Sequence, residues 1–392
     1  MGREHYLGRE NLMKSVRTST LFEDPDFQVS KEFSQKIKSL VTYGPTGDHF
    51  AYSTPSGGRV VYYKLPKPIH HRGTGKILRY IDVKGVGLTI DGNLNSEDLR
   101  VKTGYQEIAR CAGIDYPYGP LVAEGLTDAM SIVEDALEAI RFGLDVPPIL
   151  AIYRLHELIM DGEKVDPREI LVDQFGYRPR DFAILQVRGF QSMPIRSTDL
   201  VYNKIPTDKM HLSEGVESNV AALQLGRRRW KSFVDNNSER IPSSKVLFQR
   251  LQQHLVNQAV TMIRTGLAPE GFNDTQGDYC CHVHLQNVLV PTGAYAEWTP
   301  LAYQHTNKDQ DYYIVNLINH LYTNYLCLSF LFLDDQNLHH ILSPGEFFAQ
   351  VILKLPRHFA LTDDILDTFK EQRNPFLYFV PAHELFYYLC KS

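Results

Sequence analysis

The hydrophobic period of this chain changes from two to 3.6 part-way along, which confines it to folds that segregate strands from helices. Residues 76–85 read KILRYIDVKG, where Ile77, Arg79, Ile81 and Val83 alternate with Leu78, Tyr80, Asp82 and Lys84 as in a half-buried strand. Upstream, SGGRVVYYKL (56–65) is a Gly-Gly turn followed by β-branched and aromatic residues, and Pro66 to Gly75 predicts a loop. ILAIYRLHEL after Pro147-Pro148, and DFAILQVRGF (181–190), read as further strands. Helical spacing takes over elsewhere. Thr127 or Asp128 caps a helix running to about Phe142, with Ile132, Ala136, Ala139 and Ile140 on one face and Gly143 ending it. Residues 245–265 form a long amphipathic helix, and 322–333 a buried one. Residues 1–50 are polar and irregular with one helix at 30–40, and a second short helix is expected at 96–111. The expected architecture is α+β in two lobes: an N-terminal extension (1–40), a strand-rich lobe (41–195) and a helical lobe (196–392), with a hinge near 189–198.

Charge and cysteine usage narrow the function. A formal charge of -5 over 392 residues offers no basic field for nucleic acid, and the run GRRRWK (226–231) reads as a solvated helix face. No segment is long and apolar enough to span a membrane, and the opening MGREHYLGRENLMK has no apolar core of a secretory signal, so no membrane partner is expected. Five cysteines without a CxxC pair point to a reducing compartment, the cytoplasm by default. Gly-x-Ser-x-Gly, Walker A and GxGxxG motifs are absent from the sequence, which removes hydrolase, P-loop and Rossmann readings.

The polar residues then fall in a telling order. A kinase-like site covers phosphates with a glycine-rich hairpin, neutralises them with a strand lysine, fixes that lysine with a helix glutamate, and holds metal with an asparagine and an acid. Gly57, Gly58 and Arg59 supply the turn, Lys84 the strand cation and Glu138 the helix acid, with Glu107 competing for that last role. Asn287 and Glu297 follow in YCCHVHLQNVLVPTGAYAEW (279–298). Each residue alone has an ordinary explanation: an edge lysine, a solvated glutamate, salt-bridging arginines, a turn-capping asparagine. Their order is what suggests a site.

Three stretches resemble the selenoprotein O family of kinase-fold protein adenylyltransferases. They are GGRVVYYKL with YIDVKGVG, EAIRFGLDVPPILAIYRL (138–155) and ILQVRGFQSMPIRSTDL (184–200). The resemblance implies a protein-kinase-like two-lobe fold that binds ATP and Mg²⁺. It implies a Lys84–Glu138 ion pair, phosphate binding by Arg188 and Arg196, and metal binding by Asn287 and Glu297. AMP would pass to a hydroxyl on a protein or small-molecule acceptor. It also implies a redox role for Cys390, for which Cys327 is a candidate partner.

The departures bear on chemistry. Gln286 stands where the family has an Asp and cannot accept a proton, while His282 occupies the position of an ordinary kinase's base. A nucleotide-binding pseudokinase acting as a scaffold is therefore the competing expectation, and a phosphotransferase or substrate-activating enzyme of a small-molecule pathway a third. Cys280, Cys281, His282 and His284 lack zinc-ligand spacing, and His70-His71 is expected in a solvated loop.

Overall fold

β-branched and aromatic residues with period-two spacing do build a sheet, and it is longer and more continuous than the turn signals predict. The structure, a computed structural model, describes residues 13–38, 44–45, 51–53, 58–90, 121–123, 125–160, 163–168, 180–192, 194–196, 224, 226–228, 230–232, 234–235, 243–269, 271–273, 279–281, 288–290, 292–295, 300–302 and 310–356. The chain is mixed α/β and forms two units, Met1–Ile140 with Pro147–Pro194, and Arg141–Val146 with Ile195–Ser392.

In the first unit the strands are β1 (Met13–Glu23), β2 (Gly44–Pro45), β3 (Ala51–Ser53), β4 (Gly58–His71), β5 (Lys76–Ile90), β6 (Leu121–Ala123), β7 (Ile149–Met160), β8 (Glu163–Val165) and β9 (Phe182–Phe190). They hydrogen-bond in the order β1-β7-β9-β5-β4-β3, with β2 on β5, β6 on β9 and β8 on β7. Every pairing is antiparallel except β2 with β5. β9 is buried along its whole length, as a central strand covered on both faces must be.

Two helices supply that cover. Helix α1 (Lys31–Lys38) sets Phe33 edge-on to Tyr63 at 5.9 Å, and Lys38 Nζ lies 4.5 Å from the Tyr153 ring centre. Tyr63 stands opposite Ile81 and Tyr153 opposite Leu185, so α1 lies on the face of the odd-numbered β9 residues. Helix α2 (Leu126–Arg141) takes the other face, packing Ala129, Val133 and Ala136 on Ile149, Ile152, Phe182 and Ile184. Small residues on α2 let it approach closely, and each large apolar side chain buried there stabilises by about 1.5–3 kcal/mol. The predicted α2 stripe of Ile132, Ala136, Ala139 and Ile140 is rotated slightly: Ala129, Val133, Ala136 and Ala139 are the buried set.

Two expectations need correction. β1 arises from a segment expected to be irregular; its MKSVRTSTLFE carries polar residues because it is an outer strand paired only to β7 along the main path. β4 does not stop at Pro66 but runs to His71. Its prolines fall where the register slips between Lys64 and Ile69 and beyond the last β3 pairing, so their missing N–H groups cost no ladder bond there. The helix expected at 96–111 lies outside the described residues.

The second unit is mainly helical: α3 (Ser244–Thr265), α4 (Gln310–Phe332) and α5 (Pro344–Lys354), with a 3₁₀ turn at Asp335–His340. Short strand pairs accompany them: β10 (Ile195–Arg196) with β14 (Leu289–Val290), β11 (Leu267–Pro269) with β15 (Pro300–Ala302), and β12 (Gly271–Asn273) with β13 (Tyr279–Cys281). Leu251, Leu255 and Met262 of α3 are buried, as are Tyr322, Tyr325 and Leu328 of α4 and Phe347 of α5. Tyr325 stacks on Phe347 at 5.1 Å. A capping box starts α5: Glu346 N–H donates to the Ser343 hydroxyl, and Ser343 N–H donates to the Glu346 carboxylate.

Candidate functional site

Strand alternation decides what surrounds Lys84. Lys84 stands opposite Gln186 and Asp82 opposite Arg188, and the even-numbered β9 residues face α2. Lys84, Asp82, Gln186 and Arg188 therefore share the α2 face of the sheet. Lys84 is half-buried, while Asp82, Gln186 and Arg188 are buried.

Arg188 has a different partner from the one expected. It is 2 % exposed, and its Nε donates to Asp82 Oδ1 at 2.9 Å and Oδ2 at 3.1 Å while Nη2 also donates to Oδ2. A guanidinium fork filled by a carboxylate in the sheet interior is a structural pair. Asp82 was not singled out from the sequence, although an acid two residues before Lys84 in a half-buried strand already placed both on one face.

The expected Lys84–Glu138 pair is not formed among the described residues. Glu138 is exposed on α2, whose sheet-facing positions are alanine and valine. The acid of α2 in the least polar setting is Asp135: burial first, then Glu138, Glu134 and Asp128, push its carboxyl above the usual range. Gly58 and Arg59 open β4. Gly57, Glu107, His282, His284, Asn287, Glu297 and Cys390 lie outside the described residues.

In the second unit the backbone brings Arg196 beside the segment that follows Asn287. Arg196 stands opposite Leu289, and Ile195 opposite Val290. Val288 bridges Tyr295, Leu289 N–H donates to Ala294 O at 2.8 Å, and Gly293 N–H returns to Leu289 O at 2.8 Å. Gly293 has φ 76°, and a Cβ there would lie 2.9 Å from Leu251 Cδ1 on α3, so a side chain is excluded twice. Tyr295 N–H donates to Asp145 O at 2.9 Å. Asp145 N–H donates to Gln258 Oε1 at 2.9 Å, Gln258 Nε2 donates to Gly143 O at 3.2 Å, and His254 Nε2 lies 3.7 Å from Asp145 Oδ2. Gln258, buried in α3, thus ties residues 143–145 to the helix. Its signal in the sequence is a polar residue within the apolar stripe Leu251, Leu255, Ala259 and Met262.

Asp24, Asp26 and His71 bring three ligand atoms within 4.8 Å of one another, the grouping in the described residues that most resembles a metal centre. Its hydrogen bonds serve another purpose. His71 Nδ1 accepts from Thr74 N–H at 3.1 Å, which leaves the ring proton on Nε2, 3.5 Å from Asp24 Oδ2. A metal at Nε2 would need the other tautomer and would set two N–H groups against each other. Asp26 accepts from Arg72 N–H at 2.7 Å and Arg72 Nε at 2.6 Å. The cluster clamps the β4–β5 turn, and His71, expected in a solvated loop, is 1 % exposed.

Two other expectations change. Cys327 is fully buried in α4 and burial pushes its thiol up to about 12, away from the reactive thiolate. In the GRRRWK run, Arg228 and Lys231 are exposed as expected, but Trp230 is buried against Phe332 at 5.2 Å. Arg227 Nε donates to Phe330 O at 2.8 Å and its Nη1 pairs with Asp335. Among the described residues no helix is long and apolar enough to cross a membrane. Compared with known protein families and with curated proteins, the chain matches no family model and no curated protein.

Proposed function

We propose that this chain is an ATP- and Mg²⁺-dependent transferase of protein-kinase-like fold, passing AMP in preference to phosphate to a hydroxyl of a protein or small molecule. The observation that carries the reading is the setting of Lys84. A strand hairpin precedes it, its strand lies inside an antiparallel sheet, and the helix that follows packs on the same face as its side chain. This is the order in which a kinase-like site presents hairpin, lysine and helix. Lys84 neutralises phosphate charge. Asp82 and Arg188 hold β5 against β9 and fix the strand from which Lys84 projects.

Arg196, Asn287 and Glu297 keep the roles that the resemblance gives them. An amide oxygen and a carboxylate are hard donors that suit Mg²⁺, which when bound supplies charge neutralisation to the triphosphate. The acceptor hydroxyl attacks the α-phosphorus, the bond to pyrophosphate breaks, and the hydroxyl proton is released. His282 is the candidate to receive it, since Gln286 cannot. Transfer of this kind rests mostly on positioning and charge.

A second reading, a nucleotide-binding scaffold without turnover, is favoured by Gln286 and by the solvent-facing Glu138. Incubation with Mg²⁺ and ATP labelled at either the α- or the γ-phosphate separates the readings. Label carried from the α-position into protein, and lost in Lys84→Ala, supports AMP transfer. Label only from the γ-position makes the chain a kinase, and label from neither position favours the scaffold.

A further inference from the structure

Along β1 and β7, among the described residues, positive charge collects beside carboxylates that other cations already hold. Ser19 stands opposite Arg154, and Arg17 opposite Glu157. The Ser19 hydroxyl lies 2.7 Å from His156 Nε2. The Arg154 guanidinium carbon lies 4.4 Å from the centre of the Phe182 ring, and its Nε is buried without a hydrogen-bond partner. Arg17 is exposed and has no ion pair among the described residues.

The neighbouring acids are already committed. Glu157 pairs with Lys164 at 3.0 Å. Asp166 accepts from Arg168 N–H at 2.8 Å and from Arg168 Nε at 3.1 and 3.0 Å, and that guanidinium holds its carboxyl below the usual range. His156 records the imbalance: burial first, then Arg154, Arg17 and Arg168, with Asp166 opposing, hold its imidazole below the usual range.

We propose that this edge of the sheet binds a phosphate group, held by the guanidiniums of Arg154 and Arg17 and by the Ser19 hydroxyl, which His156 orients. Two guanidiniums and a hydroxyl match a tetrahedral dianion with several acceptor oxygens better than a single carboxylate. The site is separate from Lys84. Arg154 stands on β7 opposite Ile184, Lys84 stands on β5 opposite Gln186, and β9 runs between them. The phosphate group belongs either to the free ion or to a phosphomonoester, and both share the chemistry.

The test is an NMR titration of the His156 ring in the full chain, its signal assigned with His156→Gln. Inorganic phosphate and, separately, phosphoserine are added at constant ionic strength held with sodium chloride. A bound dianion offsets the surrounding positive charge, so the His156 pKa rises on saturation. Arg154→Met and Arg17→Met each weaken binding by about tenfold or more, whereas Lys84→Ala leaves it unchanged. Tighter binding of phosphoserine assigns the site to a phosphomonoester, and equal or tighter binding of phosphate assigns it to the ion. The proposal is overturned if neither ligand moves the His156 titration. It is equally overturned if Arg17→Met, at an exposed position where folding is not at issue, binds phosphate as the unaltered chain does.

Discussion

Arg188 carries the clearest energetic consequence at the scale of single residues. Its buried fork binds Asp82, so Arg188→Met takes the guanidinium away from a carboxylate in the sheet interior. Urea unfolding should register a loss of about 3–5 kcal/mol, largely recovered when Asp82→Leu is added. A loss below about 1 kcal/mol would mean that the pair is not buried as described. Asp135 makes a second prediction, in pH. Its folded-state pKa is raised, so the native state holds the proton more tightly than the unfolded chain does. The associated stabilisation is present in acid and is lost as pH rises through the raised pKa. Asp135→Asn should therefore stabilise the protein at pH 7 by up to about 1 kcal/mol. That gain should vanish near pH 3.5, below the ordinary aspartate pKa of about 3.9; an equal gain at both pH values would contradict the assignment.

Among the elements, β9 and α3 depend on close approach. A Cβ on Gly189 would lie 2.5 Å from Leu78 Cδ1 and 3.0 Å from Leu150 Cδ1. Gly189→Ala should cost about 1–3 kcal/mol in thermal or urea unfolding. The long strands and helices were legible in the sequence because β5 and β9 are runs of β-branched and aromatic residues, and α2 and α3 carry apolar residues at helical spacing. β1 was not, because an outer strand with alternating polar residues looks like a tail. The run of β4 through Pro66 and Pro68 was hidden because proline is a breaker only where its N–H is needed. Of the candidate site, the sequence made Lys84 and its strand visible. It could not reveal that Arg188 belongs to Asp82, since that pairing joins residues 82 and 188 through sheet register. Gln258 was equally invisible, because its two partners lie on the backbone of a distant turn.

For the molecule as a whole, the account stands on Lys84 as the cation that receives a nucleotide. On the proposed reading, the sheet order, the placement of α2 and the buried Asp82–Arg188 pair present that one ammonium group. Arg154 offers an independent phosphate site, so a nucleotide response must be attributed by substitution and not by binding alone. The decisive measurement is the stability of the unaltered chain, Lys84→Ala and Arg154→Met against Mg-ATP. Ligand at a hundred times its dissociation constant should stabilise the unaltered chain by about 2.7 kcal/mol. Arg154→Met should retain that gain and Lys84→Ala should lose most of it at the same concentration. No gain in the unaltered chain, or an undiminished gain in Lys84→Ala, would contradict the central claim.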